Sequence, residues 1–250
     1  MKLLVILLCI ASERYLVHAA SLHRYQVFCT WFHAMTKYLP RTGFFTNPYV
    51  ALSFVILPAL FVVCAILAFT GNIFYGFIGF LLNVLVFYFC LGPNNSFYPV
   101  SQSQDDHEKE EPVENYFCAV NSQLFAVIFW FIVTGPLGLL CYRLLYICSE
   151  QELTKPAARV IIGLLDWITA RITLLLYLLV GNFQRGFHYF TQVFLSAPGN
   201  NDELLKKGGL LAAQTQEEDS ISLLHAQNLV EHALVIFLVF IAFFTLVAWL

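Results

Sequence analysis

From Thr42 to Gln104 the chain carries no charged residue. A water-soluble fold needs charged side chains on the outer face of each element, so a run of this length belongs in lipid. Composition agrees. Charged residues make up 12% of the chain and hydrophobic residues 59%, with a mean hydropathy of +0.72. A soluble domain carries about 25% charged residues. The net charge of −3 gives no electrostatic footprint for nucleic acid.

Within the uncharged run two apolar segments lie at about 49–69 and 73–91. A helix of roughly 20 apolar residues spans the hydrocarbon core. Gly71 and Asn72 supply a turn between them, and Pro58 is expected to kink the first. Further embedded segments are read at about 124–147, 160–181 and 230–250, with a short apolar helix at 1–12. The expectation is one all-α, polytopic membrane domain over 1–250, with four to five embedded helices plus the N-terminal one. Leu3 to Ala11 followed by Val17-His18-Ala19 resembles a signal peptide. Because Glu13 and Arg14 stand between the apolar run and that cleavage pattern, a retained helix is the preferred reading.

Two stretches, 92–123 and 182–229, read as polar loops. The first holds the acidic run Asp105-Asp106-His107-Glu108-Lys109-Glu110-Glu111, taken as a solvated face. The second is polar enough for short surface helices. Arg14, Arg24, Lys37, Arg41, Lys109, Arg185, Lys206 and Lys207 fall on one side of the resulting topology. Arg143, Lys155 and Arg159 fall on the other. The richer side is expected to be cytoplasmic.

A charge inside a membrane segment costs roughly 2.5–3.5 kcal/mol on insertion scales. Glu13, Arg14, Arg143, Asp166 and Arg171 are therefore the candidate members of a shared polar pocket. On the fourth segment Arg159, Asp166, Thr169, Thr173 and Tyr177 fall on one helical face, either as interhelical glue or as the wall of a cavity. Arg171 points about 140° away from Asp166. Gly135 and Pro136 interrupt the third segment, and Gly138 would admit a close neighbouring helix. Ser222, His225, Asn228 and His232 share a face just before the last apolar run. The two histidines are two turns apart, which suits no shared metal. The seven cysteines include no Cys-x-x-Cys pair. No catalytic motif is present, and the sequence asks for no metal and no cofactor.

Three stretches carry a family resemblance. They are the N-terminal apolar run closing on Glu13-Arg14, the segment from Phe129-Trp130 through Gly135-Pro136 to Tyr142-Arg143, and Leu165-Asp166-Trp167-Ile168-Thr169-Ala170-Arg171. In these the chain resembles AmpE, an inner-membrane protein family associated with β-lactamase induction in Gram-negative bacteria. More broadly it is similar to the superfamily that includes CobD and CbiB. Thr169 stands where that family usually has proline, which removes an expected helix break. The resemblance implies a multi-pass protein of the bacterial inner membrane with a regulatory or sensory role in the response to cell-wall antibiotics. Its implied partners are the lipid bilayer and a cell-wall fragment or another membrane protein. The cobalamin branch implies an alternative, ATP-dependent amide formation between an aminopropanol phosphate and a corrinoid. A third reading needs no family: a non-catalytic membrane scaffold.

Overall fold

The computed structural model describes residues 2–15, 30–32, 34–35, 47–70, 77–91, 113–214 and 222–247. The turn expected at Gly71-Asn72 and the acidic run at 105–111 lie outside them. No strand occurs among the described residues, and the protein is an all-α, polytopic membrane protein. Its helices are α1 (Lys2–Tyr15), α2 (Pro48–Thr70), α3 (Phe77–Cys90), α4 (Val113–Val120), α5 (Ala126–Cys148), α6 (Lys155–Val180), α7 (Phe183–Val193), α8 (Asn201–Ala213) and α9 (Leu223–Val247). A π-helical turn, Asn121–Phe125, joins α4 to α5, and a 3₁₀ turn, Pro198–Asn200, precedes α8. Four stretches are long and apolar enough to cross a bilayer: Pro48–Phe69, Val113–Cys148, Lys155–Val180 and Leu223–Val247. The helices α1 and α3 are apolar but shorter.

The chain divides into two compact units. One comprises Met1–Pro93 and Val127–Leu165. There α1 packs on α3, burying Val5, Ile6, Cys9 and Ile10, and Phe87 meets Phe131 edge to face at 4.9 Å. Leu57, Phe61, Val62, Ile66 and Phe69 remain exposed along α2, as a lipid-facing helix requires. Helical geometry fails at Gly135, with φ 77 and ψ −166, a conformation that an L side chain adopts only with strain. Pro136 follows it and removes a backbone donor. Thr134 Oγ1 donates to the Trp130 carbonyl at 2.6 Å beside this break. An added Cβ at Gly138 would strike the Thr134 side chain of its own helix. Between α5 and α6, Thr154 Oγ1 donates to the Cys148 carbonyl at 2.7 Å, closing the end of α5. Lys155 donates to Glu152 and holds its carboxyl below the usual range.

The other unit comprises Asn94–Ala126 and Asp166–Leu250. Its centre is aromatic. Tyr177 lies 5.3 Å from Phe117 and 5.7 Å from Phe125, and Phe125 lies 5.8 Å from Phe237. Two expected loops are corrected here. Residues 113–123 are helical, because Tyr116, Phe117 and Val120 bury one face of α4. In 182–229 a loop with short surface helices was expected; the short helices form as α7 and α8, but they lie against the second half of α6, and α8 buries Leu204, Leu205, Gly208, Gly209, Ala212 and Ala213. The two glycines are what allow this approach. A Cβ at Gly208 would strike Leu174, and one at Gly209 would strike Phe117. At the base of the hairpin the Asn182 amide donates to the Ala212 carbonyl at 2.9 Å.

Candidate functional site

The two buried arginines belong to different units and are held by different contacts. Arg143, in the first unit, is fully buried. Its Nε donates to the Cys90 carbonyl at 2.7 Å, the last residue of α3, where a helix leaves carbonyls without intrahelical partners. Its guanidinium lies 5.3 Å from the Tyr146 ring centroid. An arginine at a helix C-terminus also meets the favourable end of the helix dipole.

Arg171, in the second unit, is 3% exposed. Arginine has five N–H donors, and each finds an acceptor. Nε donates to the Phe194 carbonyl at 2.6 Å. Nη1 donates to the Trp167 carbonyl at 2.7 Å and to Asn201 Oδ1 at 3.1 Å. Nη2 donates to the Ser196 carbonyl at 2.9 Å and to Ser196 Oγ at 3.0 Å. The guanidinium also lies 4.1 Å from the Trp167 ring centroid, a cation–π distance. Trp167 Nε1 donates to the Ser196 carbonyl as well, at 2.9 Å. None of the five acceptors is a carboxylate. Arg171 is thus a tether that fastens the tip of the α7–α8 hairpin to the middle of α6.

The remaining sequence candidates fall as follows. Glu13 and Arg14 lie in α1, with side chains outside the described residues. Asp166 is half-buried in the second unit, and its carbonyl accepts from Thr169 Oγ1 at 3.3 Å. From the polar stripe of α6, Thr169, Thr173 and Tyr177 are buried and Arg159 is exposed. Thr173 Oγ1 donates to Asn121 Oδ1 at 2.8 Å, which joins α6 to the π-helical turn as a packing bond.

The second unit also holds a cavity of about 700 Å³ where α6 ends, α7 begins, α8 ends and α9 begins. Its polar side chains are Asn182, Gln184, Gln214, His225, Asn228 and His232. Val180, Phe183 and Leu229 form its apolar wall. His225 Nε2 lies 3.1 Å from the Ala213 carbonyl, and His232 Nδ1 lies 2.6 Å from the Asn228 carbonyl. A carbonyl only accepts, so each of these nitrogens carries its proton. In a neutral ring the other nitrogen, Nδ1 of His225 or Nε2 of His232, is then an acceptor. The lining offers donors and acceptors in mixture, without a charged side chain. Among the described residues no group of three or more His, Cys, Asp or Glu side chains is arranged to hold a metal.

Sequence reasoning placed His225, Asn228 and His232 on one face. It missed Asn182, Gln184 and Gln214, which reach the cavity only because the hairpin returns to its starting point. A second recess, in the first unit, is lined by Leu57, Pro58, Leu60, Phe61, Cys64, Leu137 and Gly138 and presents almost no polar group.

Fold and site together define a multi-pass helical membrane protein with a polar cavity free of carboxylate, lysine and arginine side chains and with an apolar recess. Compared with protein-family models, with curated proteins and with solved structures, the chain finds no match in any of the three.

Proposed function

We propose that this chain is an AmpE-like protein of the bacterial inner membrane that binds a signal ligand in the response to cell-wall antibiotics and does not transform it. The observation that carries the binding half of this reading is the lining of the cavity at the α7–α8 base. Its amides and imidazoles both donate and accept, as the hydroxyl and amide groups of a sugar-bearing cell-wall fragment would require. The lining holds no carboxylate, lysine, arginine or thiol, and its groups able to move a proton are the imidazoles of His225 and His232. The order of segments around Glu13-Arg14, Gly135-Pro136 and Asp166 to Arg171 supports the AmpE-like assignment.

The cobalamin alternative asks arginines and carboxylates to hold phosphate in one cavity. Arg171 has spent all five donors on protein acceptors, which counts against its taking that part. The scaffold alternative leaves the polar cavity without a use. The test is deletion of the gene in the bacterium that encodes it, followed by measurement of β-lactamase after sub-inhibitory β-lactam. A changed induction ratio, restored by the wild-type gene and not by Asn228→Leu, is expected. Induction unchanged by deletion contradicts the reading, and turnover of labelled cobyric acid with ATP by the purified protein would replace it with the alternative.

A further inference from the structure

The hairpin that Arg171 tethers raises a question of depth. Along α6 the exposed apolar residues are Val160, Leu164, Ile168, Leu175 and Leu179. Their spacing of four, four, seven and four makes one stripe on a helix. At 1.5 Å per residue that stripe is about 28 Å long, close to the roughly 30 Å thickness of a hydrocarbon core. Arg171 lies about 16 Å from its lower end and about 12 Å from its upper end by the same rise. The residues it holds, Phe194, Ser196 and Asn201, are the tip of the α7–α8 hairpin.

We infer that α7 and α8 form a re-entrant hairpin. It enters the bilayer beside the C-terminal half of α6, turns near mid-depth at Arg171 and leaves on the side it entered. One face of it borders a water-filled recess open to small hydrophilic solutes. Two features support this, and a third says which face meets water. First, non-helical backbone at membrane depth must be satisfied by protein, since lipid offers no hydrogen bonds. Arg171 and Trp167 supply that service to the carbonyls of Phe194 and Ser196, where a loop in water would need none. Second, α7 exposes Phe183 and Phe187, with Phe194 and Leu195 beyond its end, and Leu195 is 83% exposed. A rim of bare aromatic and aliphatic side chains suits lipid. Third, α8 exposes Asp202, Glu203 and Lys207, the last two as an ion pair with each side chain 60% exposed. At the depth Arg171 fixes, charges facing hydrocarbon are too costly, so this face must meet water.

Single-cysteine additions to the full chain in sealed membrane vesicles of both orientations test this, with a membrane-impermeant sulfonated maleimide as the probe and labelling read as the gain over the unsubstituted chain. Glu203→Cys and Lys207→Cys are expected to label from one side only. Phe187→Cys and Leu195→Cys should label more than about tenfold slower, because the reactive thiolate is disfavoured in lipid. All four positions are exposed, so the changes leave the core alone. A variant that does not elute as a single species in detergent is replaced by Asp202→Cys or Phe183→Cys. Equal, rapid labelling of all four positions would place the hairpin outside the bilayer and overturn the inference. So would the absence of labelling at Glu203→Cys and Lys207→Cys from either side, which would remove the recess.

Discussion

Arg171 Nη1 reaches Asn201 Oδ1 at 3.1 Å, joining the middle of α6 to the first residue of α8. With the bonds to Phe194, Ser196 and Trp167 it makes one side chain responsible for where the hairpin turns. Lysine has three donors and no planar fork, so Arg171→Lys can keep at most three of the five bonds. A buried acceptor left without a partner costs about 1–3 kcal/mol. Arg171→Met removes all five bonds and is expected to lower thermal stability in detergent further than Arg171→Lys. Equal midpoints for Arg171→Met and the wild type would refute the tether.

The packing bond between Thr173 and Asn121 gives a second expectation. Thr173→Val keeps the shape and removes the donor, leaving a buried amide oxygen at a cost of about 1–3 kcal/mol. The Tyr177 hydroxyl is fully buried and has no hydrogen-bond partner among the described residues. Tyr177→Phe should therefore be neutral or stabilising, whereas Thr173→Val destabilises. Denaturant unfolding of the two variants in the same micelle decides, and the reverse order would be inconsistent with this core.

Glycines report on how closely the hairpin sits. A Cβ at Gly181 would strike the Ala212 carbonyl oxygen, which is backbone and cannot rotate away. At Gly208 the obstacle is the Leu174 side chain. At Gly199 nothing lies within 4 Å. Overpacking costs about 1–3 kcal/mol. The expected order of stability loss is Gly181→Ala, then Gly208→Ala, with Gly199→Ala within about 0.5 kcal/mol of wild type as an open surface site. A Gly199→Ala loss as large as that of Gly181→Ala would argue that the hairpin packs elsewhere.

Alkaline phosphatase fused after Gln214, or within 92–112, is expected to be inactive, because the Lys- and Arg-rich side is cytoplasmic by charge count. Fusion after Glu150, between α5 and α6, should be active. Activity at the first two positions and silence at the third would invert the topology.

The long apolar helices were legible because the absence of charge is a strong signal on its own. Residues 113–123 were not, since Glu114, Asn115, Asn121 and Gln123 break the apolar pattern, although Asn121 and Gln123 are buried together with Tyr116, Phe117 and Val120. The helix α8 was hidden by Asp202, Glu203, Lys206 and Lys207 and by two glycines that read as loop. Its buried face is built largely from small residues, which hydropathy scores poorly. Arg171 stood out as a charge in an apolar segment, but four of its five bonds run to the Trp167 and Phe194 carbonyls and to Ser196. Backbone carbonyls are present at every position, so no residue pattern announces which ones an arginine will take. A cavity assembled from both ends of a hairpin is likewise invisible until the hairpin's return is known.

Residues 183–213 fold back along α6, so that Trp167 and Ser196 touch: Trp167 Nε1 donates to the Ser196 carbonyl at 2.9 Å, and its ring lies 6.4 Å from that of Phe194. The most direct measurement replaces Trp167 with p-benzoylphenylalanine, irradiates the full chain in membranes and maps the crosslinked peptides by mass spectrometry. Intramolecular crosslinks to the peptide containing Phe194 to Asn201 are expected. Crosslinks confined to lipid or to other segments, with none to that peptide, would contradict it.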